Sequence, residues 1–309
     1  MPASPVVPDL VRQRAEAHGA DGRRWLRDLP DVVTELAGSW DLEVGAPYTG
    51  GTASLVVSAA DRDGRHRVVK IAMAIRDEDV EMFHRSVVAH RIADGRGCAR
   101  LIDSDDRRHA LLLEQLGPNL DALGLSVPRI LDTVAATLRS FWRPVPDDCS
   151  LPTGAEQAEW LARFIATTWE ELGRPCPRAV IDTALSFCDE RASAVDRRGT
   201  VLVHGDAHGW NTLDAGDGSF KLVDPEGLRS EPAHDLGVLL REYNRPLLDG
   251  DTLALVRARA ELLGTSCGVD PDTVWQWGFV ERVSTGLANL RDFDDDDGWD
   301  FLEVAARCV

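Results

Sequence analysis

The chain has 309 residues, 44% hydrophobic and 28% charged, which is enough for one large or two medium domains of ordinary globular composition. Its net charge of −18, from 52 acidic against 34 basic residues, gives nucleic acid no basic field to bind. The same charge can draw a cationic small molecule into a cleft, or simply keep the surface solvated. Six cysteines, at 98, 149, 176, 188, 267 and 308, form no close pair, so free thiols are expected rather than a zinc site or a disulfide framework. The first residues carry no basic, apolar leader pattern, and no apolar run is long enough to cross a bilayer. A cytoplasmic protein with no membrane partner is the expectation.

Residues 1–9 are proline-rich and expected to be loose. Helical spacing runs from Leu10 to Leu36, with Pro30 either ending this helix or starting the next. Leu42 and Val44 suggest a strand, Leu55 to Ser58 a second, and Val68 to Ala72 a third, separated by a glycine turn at Gly50-Gly51 and a hairpin turn at Asp61 to Gly64. Backbone N–H groups of Gly50, Gly51, Thr52 and Ser54 can face phosphate oxygens, and Lys70 inside the third strand can neutralise them. A plain hairpin and an edge lysine reaching for solvent are the simpler readings of the same residues. The stripe Val80, Phe83, Val87, Val88 and Ile92 marks a helix over 79–92. Glu78 and Glu81 lie near its first turn, and Glu81 is the expected partner of Lys70. Leu101-Ile102 and Ala110 to Leu113 read as two further strands. Gln115, Leu116 and Gly117 follow, with backbone groups placed for an adenine edge. Strand periodicity stops at Gly117-Pro118, so a sheet lobe of residues 1–116 and a mainly helical lobe of 117–309 are expected.

Helical patterns then cover 127–141, 155–172, 177–194, 233–243, 253–263 and 271–290. Asp235 is expected to cap a loop or hold a neighbouring segment by hydrogen bonds. The acidic block from Arg291 to Asp300 reads as solvated, and as a means of attracting amines if it borders a cleft. Between the third and fourth of these helices lies the stretch from Val201 to Gly227, with two apolar runs, 201–203 and 220–223, ending in polar residues. Turn residues 214–218 link the runs, so a tight β-connection is expected to bring their acidic ends together. His204, Asp206, His208 and Asn211 follow the first run, and Asp224 follows the second. One carboxylate to orient a hydroxyl, and an Asn with an Asp to hold magnesium on phosphates, is the inventory of phosphoryl transfer.

The run His204-Gly205-Asp206-Ala207-His208-Gly209-Trp210-Asn211 resembles the HGDxHxxN loop of aminoglycoside and related small-molecule phosphotransferases, and Val223 to Gly227 resembles the magnesium-binding segment that follows it. The DPxG form is most similar to the streptomycin and hydroxyurea phosphotransferase branch. The resemblance implies an α+β, bilobal, protein-kinase-like fold, with an N-terminal antiparallel sheet lobe and a larger helical C-terminal lobe. It implies an ATP-dependent O-phosphotransferase that uses Mg2+ and acts on a cationic small molecule such as streptomycin, as a monomer or weak dimer. Asp206 matches the family's aspartate that orients the acceptor hydroxyl. His204, the second catalytic-loop candidate, matches the histidine that shapes that loop and is expected to be structural rather than a proton carrier. Asn211 and Asp224 match its magnesium ligands, and Lys70 its phosphate lysine. Ala207 and Trp210 depart from the common HGDLHxGN form, and Trp210 stands beside the metal-binding Asn. The rival expectations are a kinase for an amino-alcohol, amino sugar or hydroxyurea-like substrate, a non-catalytic nucleotide-binding kinase fold, and a metal hydrolase built on His204, Asp206 and His208.

Overall fold

In the computed structural model, which describes residues 6–49, 51, 53–146, 148–194, 199–292 and 297–309, the chain divides into two compact units, Met1–Gly117 and Pro118–Val309. The first unit begins with α1 (Asp9–Ala17) and α2 (Gly19–Trp40). The helix break falls at Gly19, whose φ of +64° suits glycine, and not at Pro30, which lies inside α2. Pro30 is tolerated because the apolar stripe Leu29, Val33 and Leu36 continues through it into the core, which outweighs one lost backbone bond.

Five strands follow: β1 (Leu42–Pro47), β2 (Ser54–Asp61), β3 (His66–Ala72), β4 (Leu101–Asp105) and β5 (Ala110–Glu114). They form one antiparallel sheet in the order β1-β2-β3-β5-β4. Side chains alternate across the sheet, so β3 and β5 serve a core on each face. Leu55, Val57, Val69, Ile71 and Leu112 pack with Val11, Leu29 and Leu36 from α1 and α2. Leu111, Leu113, Val68 and Ala72 pack with Phe83 and Val87 of α3 (Asp77–Ala93), which covers the other face.

The second unit is mainly helical: α4 (Val127–Phe141), α5 (Gly154–Glu171), α6 (Arg178–Ser193), α7 (Pro232–Leu240), the short α8 (Arg245–Leu248), α9 (Thr252–Cys267), α10 (Pro271–Asp292) and α11 (Asp297–Ala306). Helix α10 forms the centre, with Trp277, Val280, Val283 and Leu287 buried. Gly237 of α7 meets it closely: a Cβ there would stand 2.5 Å from Trp277 Cβ. Residues 293–296 of the acidic block lie outside the described residues. Asp297 onward is helix α11, which buries Leu302, Val304 and Ala305, and Asp300 pairs with Arg245 at 2.6 Å. That part of the block is structural rather than a solvated run. All six cysteines are free, and burial pushes the Cys188 thiol up to about 12.

Candidate active site

Two small antiparallel pairs frame the catalytic stretch, and neither joins the two apolar runs to each other. β6 (Val201–Val203) pairs with β9 (Leu228–Ser230), while β7 (Thr212–Asp214) pairs with β8 (Phe220–Leu222) across the 215–219 turn. The tight connection therefore lies between β7 and β8. The reason is local: Asp214 and Asp217 carboxylates accept the N–H groups of Gly216 and Ser219 and close the turn on Thr212–Asp214. The expected outcome still follows, because Val223 N donates to Asn211 O at 2.9 Å and Glu226 N to His204 O at 2.9 Å. Asn211, Asp224 and the His204–Asp206 turn meet at one end of these strands.

Asp224 holds a left-handed φ of +61°, which an Asp accepts better than most side chains. Gly205, at φ +87°, turns the chain out of β6. Buried Asp235 of α7 then pins this turn, accepting from His204 N at 2.9 Å, Gly205 N at 2.9 Å and Trp142 Nε1 at 2.8 Å. Asp235 therefore has the loop-holding role expected of it.

His204 takes a different role from its candidate catalytic one. It is fully buried, its Nε2 donates to Val223 O at 2.8 Å, and its Nδ1 accepts from Asp206 N at 3.2 Å. Burial holds its pKa below the usual imidazole range, so the ring is neutral and braces the loop. With both nitrogens engaged on backbone, it has none left for a proton transfer or a metal, which also removes the metal-hydrolase reading.

Asp206 is one-third exposed, and each oxygen has partners. Oδ1 accepts from Arg241 Nη2 at 2.6 Å, and Oδ2 accepts from Asn211 Nδ2 at 3.0 Å and lies 3.3 Å from His208 Nε2. Burial alone would raise its pKa, but His208 and Arg241 outweigh that and hold the carboxyl well below its ordinary range. His208 thus faces the carboxylate. Asn211 also donates to Asp206 O at 2.9 Å, which fixes its amide group and leaves Oδ1 as its outward oxygen. Gly209 is required because Asp121 and Tyr243 crowd it: a Cβ would stand 2.6 Å from both Asp121 Oδ2 and the Tyr243 hydroxyl. Tyr243 donates to Asp121 at 2.8 Å, and its own φ is +57°. Trp210 projects outward with 62% exposure.

Asn211 and Asp224 suit a hard cation: each offers oxygen, and magnesium bound to phosphates takes only one or two protein oxygens. Among the described residues there is no group of three or more His, Cys, Asp or Glu that could hold a metal by itself.

In the first unit, Lys70 lies on β3 between Val68 and Ala72, on the face that α3 covers. Glu81 does not pair with it. The Glu81 carboxylate is bound by Arg85, one turn on, and Glu78 by Arg76 at 2.5 Å. Glu81 stands about 200° round the helix from the sheet-facing Phe83, which explains the miss. Ser54 opens β2 opposite Ala72 and is buried, and Gly51 has φ +99°. Gly50 and Thr52 lie outside the described residues. Gln115, exposed, and Leu116, half-buried, follow β5. Arg241, Glu281, Asp121 and Tyr243 were missed by motif reading. Only Arg241, a lone cation ending an apolar helix, left any trace in the sequence.

An antiparallel sheet unit followed by a larger helical one, with Asp206 and Asn211 on one loop and Asp224 on the turn bonded to it, is the arrangement of a phosphotransferase of protein-kinase-like fold. The sequence and structural comparisons agree. A family model described as aminoglycoside/hydroxyurea antibiotic resistance kinase matches residues 39–293. The chain belongs to that family and is a small-molecule kinase. It is 26% identical to a streptomycin 6-kinase of Streptomyces glaucescens, over 92% of this chain and 90% of that one. It is 28% identical to a hydroxyurea phosphotransferase of Kitasatospora aureofaciens, over 92% of this chain and 80% of the relative. An aminoglycoside phosphotransferase from Streptomyces rimosus, solved with ADP and streptomycin, superposes with a TM-score of 0.54 at 18% identity, covering 83% of this chain and 98% of that one. A choline kinase from Streptococcus pneumoniae gives 0.61 at 13% identity, covering 90% and 97%. These two share the fold.

Proposed function

We propose that this kinase transfers the γ-phosphoryl group of ATP to a hydroxyl of a cationic small molecule, with streptomycin as its leading acceptor. The observation that carries the reading is the Asp206 carboxylate, fixed on Arg241 and Asn211, with Asp224 on the turn whose backbone bonds to Asn211 and His204. Asp206 orients the acceptor hydroxyl in line with the phosphoryl group. Its carboxylate, ionised between Arg241 and His208, is set to receive that hydroxyl as a hydrogen-bond acceptor. Asn211 Oδ1 and the Asp224 carboxylate are the proposed magnesium ligands, and bound magnesium would offset charge on the phosphates. Lys70 is the proposed phosphate lysine, with the backbone at Gly50 to Ser54 and at Gln115 and Leu116 as further nucleotide contacts. His204 braces the loop. Glu81 has no part in this set.

Streptomycin leads because two streptomycin 6-kinases match more than nine-tenths of this chain. Hydroxyurea is the second candidate, on the match to its phosphotransferase. The test is ATP-dependent phosphorylation across streptomycin, other aminoglycosides, hydroxyurea and simple amino alcohols, read by mass spectrometry. Streptomycin phosphate is the expected product, and no turnover with streptomycin or its relatives would overturn the substrate. Asp206→Ala is expected to abolish turnover while nucleotide still binds, and near-normal turnover would remove Asp206 from the mechanism.

A further inference from the structure

The catalytic loop carries a charge contact that hydroxyl alignment and magnesium binding do not by themselves require. Arg241 is the residue after α7 and is 9% exposed. Its Nη2 donates to Asp206 Oδ1 at 2.6 Å, its Nη1 to Glu281 Oε2 at 3.1 Å, and its Nε to Glu242 Oε1 at 3.0 Å. One planar guanidinium thus serves three carboxylates, a geometry that a lysine ammonium cannot reproduce. Glu281, on α10, is 6% exposed. Its other oxygen lies 3.0 Å from Nε2 of buried His234, whose ring stacks on Trp277 at 4.1 Å. A chain of contacts therefore runs from Asp206 through Arg241 and Glu281 to the packed middle of α10.

An aspartate carboxylate left to itself rotates broadly about its last torsion. Here Arg241 holds one oxygen and Asn211 the other, so the plane of the carboxylate is set and with it the direction in which a hydroxyl is received. A guanidinium buried against a single carboxylate would be poorly compensated for lost hydration. Glu281 and Glu242 supply that compensation, and Glu281, rooted in the core, is the one that fixes where the guanidinium sits.

We infer that Arg241 is a positioning residue for phosphoryl transfer and that Glu281 acts on the reaction through Arg241. The inference rests on Asp206 orienting the acceptor hydroxyl.

The test is a double-mutant cycle of wild type, Arg241→Gln, Glu281→Gln and the pair, with Arg241→Lys as the conservative variant. Each is measured for transfer to the acceptor and for slow ATP hydrolysis to water, which needs no acceptor. For Arg241→Gln, kcat is expected to fall ~30- to 100-fold with the KM values for ATP and acceptor within about twofold. Arg241→Lys should recover part of the loss. Glu281→Gln alone should lower kcat about fivefold, and the pair should be no slower than Arg241→Gln alone within about twofold, since the second change acts only through the first. A folded Arg241→Gln protein with wild-type kcat overturns the inference. So does a pair whose losses multiply, or a crystal structure of either Arg241 variant in which the Asp206 carboxylate has not moved. If Arg241→Gln does not fold, the same cycle with Arg241→Lys decides the matter. A wild type that hydrolyses ATP but leaves streptomycin untouched overturns the substrate alone, and the Arg241 comparison is then read in hydrolysis.

Discussion

Trp210 is the residue at which this loop departs most visibly from its relatives' common form, and its 62% exposure decides what it does. A side chain that makes so little core contact adds little to stability, yet an indole face beside Asn211 suits a cationic acceptor. Trp210→Ala is therefore expected to shift stability by no more than about 0.5 kcal/mol, while the acceptor KM rises at least about threefold. Thermal melts and steady-state kinetics separate the two, and an unchanged KM would place Trp210 off the acceptor's path. Asp235 is the opposite case. It is fully buried and accepts three N–H donors, two of them from the turn before Asp206. Asp235→Asn offers one acceptor oxygen where two were used, so a stability loss of about 1–3 kcal/mol is expected together with a lower kcat. A variant that melts earlier but keeps its kcat would show that the pinning matters for folding alone.

Elements succeed or fail here by what packs against them. Helix α7 is buried along almost its whole length and can approach α10 only because Gly237 and Gly278 lack side chains. A Cβ on Gly237 would stand 2.7 Å from Gly278 N, so Gly237→Ala is expected to cost about 1–3 kcal/mol, read as a lower midpoint in urea or heat. Because Asp235 and Arg241 flank Gly237 along this same helix segment, the substitution should also reduce kcat. The strand pairings show the same dependence on context. β6 and β8 are each three residues long, too short to choose a partner by propensity. The closed 215–219 turn gave β8 to β7, and β6 took β9. In α3 the apolar stripe was readable, but the charged residues between its members were not, since a helix face is set to within one residue by packing.

At the scale of the whole molecule, the −18 net charge is a field as well as a composition. Such a field speeds and strengthens the capture of a cation, and salt screens it. The KM for a cationic acceptor is expected to rise several-fold between about 0.05 M and about 0.5 M salt, with kcat within about twofold. A KM flat across that range would mean that capture rests on short contacts inside the site. No helix among the described residues is long and apolar enough to cross a membrane.

The class of chemistry and most of the scaffold are legible in the residues alone. Asp206, Asn211 and Asp224 stand in one short stretch, and local spacing carries such a signal. Apolar periodicity was enough to place all five strands of the sheet and most of the long helices. The partners of these residues emerge only in the folded chain. Arg241 and Glu281 lie 35 and 75 positions beyond Asp206, and no periodicity links a charge on one helix to a carboxylate on another. Pro30 within a continuous helix and Glu81 turned toward Arg85 have the same explanation. In each case burial and long-range packing chose between conformations that the local sequence left nearly equal in energy.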